Sequence, residues 1–344
     1  MKRSAIAWFN CPSCRSQQLQ ADDAAGASGA QEIEEGMLRC RACGTAVRVR
    51  GGVPRFVPDD DYADSFGFQW NRFRRTQLDS HTGMSLSTDR LFLATGWPRD
   101  LSGQTVLEAG SGAGRFTEVL LAAGASVFSF DLSSAVDANY ANNGAATRLN
   151  LFQASIYEIP LPKASFDRVL CLGVLQHTPD PRRSFRELVS FVRPGGWIAV
   201  DVYARELRSV IGWKYLLRPI TKRLPKHVLY RLVQGLVTVF LRPAIFARRF
   251  GGRAGARLFP ILQYSHWGLP LELNRAWAVL DTFDMYSPAH DHPQTLTEMR
   301  RWCAECGLER IEVEYGPNGV VARARVPETH DARSDAAESR ERAR

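Results

Sequence analysis

No window of this 344-residue chain holds ~18 uninterrupted apolar residues, so no membrane span is expected. Met1 to Asn10 lacks an apolar h-region and a small-residue cleavage site, so no secretory signal is expected either. No internal repeat is visible. Seven cysteines cannot all pair with one another, and four of them fall into two CxxC pairs. That usage points to metal binding in a reducing, cytoplasmic compartment and away from a disulfide framework. Acid is also scarce in one place: from Ala204 to Leu262 only Glu206 carries a negative charge. What remains is 45% hydrophobic and 23% charged, with net charge +8 and pI near 9.3. This is an ordinary soluble composition, long enough for one large core and a small module.

The chain is organised around Thr105 to Gly114 (TVLEAGSGAG). The apolar, β-branched start predicts a buried strand with Glu108 near its carboxyl end, then a turn of Gly110, Gly112 and Gly114, then a helix over Arg115 to Ala123. Glycines let the backbone approach a ligand with no Cβ in the way. A second strand, Ser126 to Phe130, ends in Asp131, placed to accept both hydroxyls of a ribose. A dinucleotide turn requires G-x-G-x-x-G/A; counted from Gly110 and Gly112, its last position falls on Arg115, so that site is not expected.

The pattern E-x-G-x-G-x-G resembles motif I of the class I S-adenosylmethionine (SAM) methyltransferases. The resemblance covers roughly Leu101 to Tyr203 and resumes at the C-terminal helix and hairpin. It implies an α/β fold with a Rossmann-like, seven-stranded doubly wound sheet, its last strand antiparallel. It also implies SAM as cofactor. Gly110, Gly112 and Gly114 would cradle the methionine end with Glu108 beside its amino group, Asp131 would hold the ribose, Ser155 and Ile156 would border the adenine, and Ser111, Leu132 and Gly173 are further cofactor-binding candidates. Where this family often has an acid for the adenine amino group, Ser155 brings no charge. The stretch from Gly173 to Pro181 (GVLQHTPDP) resembles the VLHH-x-x-DP segment of ubiquinone/menaquinone-biosynthesis methyltransferases. His177 in it is a candidate general base for a hydroxyl acceptor, or a brace for the following loop; one histidine near a site favours the brace.

Cys11-Pro-Ser-Cys14 and Cys40-Arg-Ala-Cys43 have the form of two zinc knuckles, with residues 22–30 as a loop insertion between them. A closed four-thiolate zinc would be structural; the competing reading is four unrelated thiols. Gly51 to Val57 (GGVPRFV) is similar to the closing hairpin of the zinc-ribbon activator subunits of tRNA methyltransferases, a likeness confined to the first ~58 residues. A ribbon with its own core predicts that SAM binding survives loss of zinc.

Residues 59–64 form an acidic linker. Phe66, Trp70 and Phe73 are spaced for one helix face, serving as sheet packing or as a lid over the cofactor. Further helices are expected over Ser87 to Thr95, Ser184 to Val192 (ended by the turn residues Arg193 to Gly196) and Thr297 to Cys306. Strands are expected over Leu149 to Ala154, Arg168 to Leu172, Trp197 to Tyr203, Leu308 to Tyr315 and Val320 to Val326. Cys303 and Cys306 share a helix at i, i+3 and read as packing. After Tyr203 the pattern becomes basic and amphipathic, with thirteen Arg and Lys from Arg205 to Arg257 among bulky apolar residues. Such helices suit an anionic membrane surface, a subdomain packed on its own sheet, or RNA. The stretch Asp281 to Thr295 reads as a polar, aromatic loop in which Tyr286, His290 and His292 contact the acceptor, bind a metal with Asp284 or Asp291, or cap the loop.

The expected organisation is therefore a zinc ribbon (1–58), a helical lid (59–100), a SAM-binding core (101–203), a basic helical insertion (204–265), the completion of the fold (266–327) and a disordered tail (328–344). The expected function is SAM-dependent O-methylation of a small-molecule, glycan or lipid-linked acceptor near the membrane. RNA methylation and an inactive methyltransferase-like scaffold are the alternatives.

Overall fold

The computed structural model describes residues 1–22, 31–57, 63–205 and 212–328. Most of the expected loop insertion and acidic linker, Glu206, and the expected tail from residue 329 onward lie outside the described residues.

Eleven strands form one sheet: β1 (Leu19–Ala21), β2 (Gly36–Cys40), β3 (Ala46–Arg50), β4 (Val53–Arg55), β5 (Thr105–Ala109), β6 (Ser126–Asp131), β7 (Leu149–Gln153), β8 (Phe166–Leu172), β9 (Val192–Val202), β10 (Glu309–Gly316) and β11 (Gly319–Arg325). Their order is β1-β2-β3-β4-β7-β6-β5-β8-β9-β11-β10. The seven strands from β7 to β10 are the expected doubly wound sheet, with the last strand of the chain, β11, antiparallel to both of its neighbours. β9 starts at Val192, ahead of the expected Trp197. Arg193 to Gly196 are taken into the strand across a register shift opposite Phe166 and Arg168, instead of closing a helix.

The ribbon is not a separate core. Parallel pairing of β4 with β7, Arg55 opposite Gln153, carries its strands into the main sheet. Phe9, Leu38 and Val49 belong to the same buried cluster as Phe128, Phe130, Phe152 and Phe166. Phe9 lies 5.1 Å from Phe56 and 5.3 Å from Phe152 between ring centroids. The Lys2 ammonium donates to the carbonyls of Ala146 (2.8 Å) and Leu149 (2.7 Å). The apolar residues that a ribbon of this size cannot bury within itself are covered by the sheet face.

Helices cover both faces, as a mostly parallel sheet requires. On one face lie α3 (Leu86–Thr95), α4 (Arg115–Ala122) and α5 (Ala135–Asn143), where Leu91, Leu120 and Val136 are buried with Val106 and Val127; α1 (Asp64–Arg72), whose Asn71 donates to the Ser134 carbonyl ahead of α5 (2.9 Å), and α2 (Asp79–Thr82) precede them in the chain. On the other, α6 (Pro181–Val189) and the last helix, α10 (Leu296–Glu305), bury Phe185, Leu188, Met299, Trp302 and Cys303, so the cysteine pair is packing. Asp180 caps α6 through the Arg183 amide (2.9 Å), and Thr295 with Glu298 forms a capping box on α10.

The insertion consists of α7 (Trp213–Thr221) and the 31-residue α8 (Lys226–Ala256), packed on α9 (Leu271–Tyr286). Leu229, Val233, Val237 and Leu241 are buried against Ala278, Val279, Phe283 and Tyr286. The first six residues of the expected loop over Asp281 to Thr295 are thus helical. Trp277, Leu280, Phe283 and Tyr286 repeat at i, i+3, i+6 and i+9 and are all buried, and this burial prolongs α9 through the polar residues between them. α8 also departs from the sequence expectation. One 18-residue window has mean hydropathy 1.4, long and apolar enough to cross a membrane by length and composition, although only 33% of that window is buried inside the fold.

Candidate functional site

A cavity of about 1370 Å³ opens at the carboxyl ends of β5, β6, β8 and β9, the edge where open parallel sheets bind ligands. Its floor on one side is the glycine turn. The Gly110 and Ser111 amides donate to the Phe130 carbonyl (2.8 and 3.0 Å), tying the turn to β6. Gly110 has φ +75°, and a Cβ there would meet Val174 Cγ2 at 2.2 Å; at Gly112, φ +52°, it would meet the Trp70 indole of α1 at 3.2 Å. The turn is therefore roofed by the lid helix, whose Phe66, Gln69, Trp70 and Phe73 line the cavity. Both amide atoms of the buried Gln69 lack a protein partner, as does Ser111 Oγ. Orphan polar groups of this kind call for a ligand or water.

Asp131 lies beside this floor. Its Oδ2 accepts from the Gly112 amide (2.9 Å), and its Oδ1 from the Ser133 amide (2.9 Å) and hydroxyl (2.8 Å). Burial raises its carboxyl above the usual range, and these bonds oppose the shift. A carboxylate has about four acceptor positions, so room remains for a ligand hydroxyl. Ser111, Leu132, Ile156 and Gly173 line the cavity as expected from the sequence.

Three expected cofactor residues do not reach it. Glu108, 1% exposed, turns inward and accepts from Thr117 Oγ1 (2.5 Å) and Ser129 Oγ (2.7 Å), bracing β5 against α4 and β6. Desolvation pushes it up to about 7. Gly114 (φ +86°) begins α4 where a Cβ would strike Asn139 Oδ1 at 2.2 Å, so it sets the helix and not the floor. Ser155 Oγ accepts the Tyr157 amide (3.2 Å); its neighbours Ala154 and Ile156 face the cavity in its place.

His177 lines the cavity and is 6% exposed. Its Nδ1 lies 3.1 Å from the His290 carbonyl, an acceptor only, which makes Nδ1 the donor and leaves Nε2 as an acceptor. Desolvation lowers its pKa, so the ring is held neutral. It packs edge-on to Tyr203 (5.4 Å) and against Phe66 (5.1 Å). This is the brace geometry, joining the β8 end to the later loop.

The expected acceptor residues are placed elsewhere. His290 and His292 stack on each other (5.7 Å), and neither lines the cavity. The Tyr286 hydroxyl is spent on the Pro260 carbonyl (3.0 Å). Asp291 pairs with Lys214 (2.8 Å) and Arg218 (3.6 Å), so it is a pin for α7 and not a metal ligand. The loop backbone is used at this edge, with the His292 amide on the Gln176 carbonyl (2.8 Å).

The far half of the cavity was missed by sequence reasoning. It is walled by Tyr264, Trp267 and Trp277, whose rings lie 4.4–5.4 Å apart, and by Arg90, Arg115, Tyr203, Asp281 and Asp284. Asp281 and Asp284 share one face of α9 at i, i+3. Asp281 accepts from the Tyr264 hydroxyl, and Asp284 accepts from Tyr203 (3.1 Å). Desolvation raises Asp281 to about 7 and lowers Arg115 to about 9. Asp281 and Asp284 follow Trp277 and Leu280 by four residues each, so they share that side of α9, and the helical period alone did not separate them from the buried stripe.

The four cysteines of the ribbon converge, with all Sγ atoms within 4.8 Å of one another and Cys11–Cys43 and Cys14–Cys40 at 3.5 and 3.6 Å. Zinc bonds of ~2.3 Å in a tetrahedron put sulfurs ~3.8 Å apart, so the set fits that ion. Among the described residues this is the sole cluster of metal-ligating side chains.

Residues 107–200 match the family described as "Methyltransferase domain". The chain is 32% identical over 130 residues to the ubiquinone biosynthesis O-methyltransferase of Paraburkholderia phymatum, covering 36% of this chain and 56% of that protein. It is 31% identical over 126 residues to its counterpart in Thiobacillus denitrificans, covering 34% and 54%. The chain thus spans about half the length of the curated relatives it matches. A structure of the Haloferax volcanii Trm112 methyltransferase activator in complex with a methyltransferase aligns over 77% of this chain and 98% of that one, at 13% identity and TM-score 0.45.

Proposed function

We propose that this chain transfers a methyl group from SAM to a hydroxyl of a small amphiphilic acceptor. The observation that carries the reading is the two-part cavity. A glycine floor with Asp131 occupies one half, and an aromatic wall with two carboxylates occupies the other. Its volume exceeds the ~300–1000 Å³ of a single-ligand site, so it has room for two ligands. SAM, when bound, supplies a methyl already activated on a sulfonium. The protein's tasks are to align, to exclude water and to move one proton. The Gly110–Gly112 floor and Asp131 hold the cofactor under Trp70. Asp284, Tyr264 and the tryptophans orient the acceptor. Asp281, poised near neutrality, takes the hydroxyl proton on a carboxylate oxygen. Oxygen as the accepting atom is supported by the relatives, which are ubiquinone biosynthesis O-methyltransferases. One structural zinc in the ribbon, in a reducing cytoplasmic setting, completes the reading.

Calorimetry should show SAM binding and no preference for NAD. Label from methyl-labelled SAM should then pass to a phenolic or lipid extract in preference to an RNA extract. Binding of NAD over SAM, or label entering RNA alone, would overturn the proposal.

A further inference from the structure

We infer that α7 and α8 seat the protein on an anionic bilayer, with the cavity mouth turned toward the lipid. Scattered exposed leucines are ordinary on a protein surface, so concentration is what counts. Of the sixteen exposed large apolar side chains among the described residues, ten lie between Trp213 and Leu262. On α8 they form a second stripe. Val228, Leu232, Val239, Phe246 and Phe250 follow one another at intervals of four or seven residues, which is one helical face. That face is roughly opposite the one carrying Leu229, Val233, Val237 and Leu241, which the protein buries against α9. The helix therefore has one apolar side for its own core and another left uncovered, with Phe250 75% and Phe246 66% exposed. Leu216 and Ile220, each 68% exposed, repeat the feature one turn apart on α7.

The charge identifies the occupant. From Leu207 to Leu271 there is no Asp or Glu. Arg231, Arg242 and Arg249 flank the uncovered stripe at helical spacing, and none has an ion pair among the described residues. A second copy of this face would bring like charges together. Nucleic acid would use the arginines and leave the phenylalanines in water. An anionic bilayer uses both, since basic side chains meet headgroups while apolar ones enter the acyl boundary. The surface is continuous with the cavity: Trp213, Leu216, Arg248, Arg253, Arg257 and Leu262 line it. A lipid-soluble acceptor would enter the cavity without crossing water. Burial of one side of α8 on α9 favours lying on the membrane over spanning it.

The test is sedimentation of the full chain with phosphatidylcholine vesicles, with and without phosphatidylglycerol, in the absence of SAM, so it reads independently of the proposed reaction. Binding to the mixed vesicles at low salt is expected, falling about tenfold or more in high salt or in an Arg242→Glu/Arg249→Glu variant. Phe246→Ala/Phe250→Ala should weaken it by about tenfold, with the melting temperature and SAM affinity of both variants unchanged. Any of three results would overturn the inference: no binding to anionic vesicles at low salt, equal binding to neutral ones, or binding to RNA that displaces the vesicles. Membrane retention through alkaline extraction would overturn it in favour of a span.

Discussion

The ribbon and the basic insertion are both additions to the same α/β core, and they are attached in opposite ways. The ribbon donates strands to the sheet and buries Phe9, Leu38 and Val49 in the core's own cluster. The insertion keeps a cluster of its own with α9 and leaves a second apolar stripe exposed. An addition whose apolar surface is mostly buried contributes to stability. One with apolar and basic surface left over is available to a partner. The contrast also separates their effects on the cavity. The ribbon adjoins the half proposed for the cofactor, where Arg55 donates to Gln153 Oε1 (3.0 Å) and Gln153 Nε2 donates to the Leu132 carbonyl (2.7 Å), next to Asp131. α9, the support of the insertion, builds the aromatic half proposed for the acceptor.

The largest expected effect tests the first arm. Cys11→Ser/Cys40→Ser should abolish metal content and, because the core is shared, cost several kcal/mol, a melting shift on the order of 10 °C. SAM affinity should fall with it, contrary to the separate-core expectation. Zinc-free protein with unchanged melting and unchanged SAM affinity would erase the contrast.

The second arm predicts a catalytic effect without a cofactor effect. Asp281→Asn should reduce kcat by about 10²–10⁴-fold with SAM affinity intact, read by single-turnover kinetics and calorimetry. Asp281 faces Tyr264, Gln77, Asp284, Arg115 and Arg90, and its desolvation raises it to about 7. A base must be deprotonated, so the wild-type rate should climb with pH and level off above about 7, and the variant should lose that inflection. An unchanged inflection would assign the proton to another group, His177 Nε2 first.

The smallest effect lies in the core between the two arms. Glu108 is raised from 4.5 to about 7 by burial. Between those values the folded state holds more protons than the unfolded one, so the group's contribution to stability declines as pH rises from 4.5 through about 7 and stays low above it. Glu108→Gln removes the ionisation and should flatten the melting-temperature profile across that window, with higher stability above neutrality. A profile as steep as that of the wild type would place the titration elsewhere.

Local pattern made the central sheet legible. Val106 and Leu107 in β5, and the four residues 169–172 in β8, are consecutive apolar and buried because both faces are covered, and that leaves a strand signal even without neighbours. The glycine turn was legible for a related reason: at positive φ a Cβ would clash with Val174 at Gly110 and crowd Trp70 at Gly112, so the requirement is written in the residue type. The cysteine knuckles carry their chemistry in their spacing. The acceptor half was not legible, because Asp281, Tyr264 and Tyr203 come from three separate segments whose juxtaposition no local period encodes.

Sequence alone determined the strand–turn–helix unit, Asp131 at the end of the second strand, the four converging thiols and the basic character of the insertion. Each of these follows from residue type and spacing within a short stretch of chain. Only the tertiary structure decided that Glu108 turns inward, that the ribbon shares the core's hydrophobic cluster, that His290 and His292 miss the cavity while Asp281 and Asp284 enter it, and which apolar side of α8 stays uncovered. Those outcomes depend on which surface each side chain meets. Burial against a partner distant in sequence is a property of the packed fold, and local periodicity shows that a helix has an apolar face without saying what will cover it.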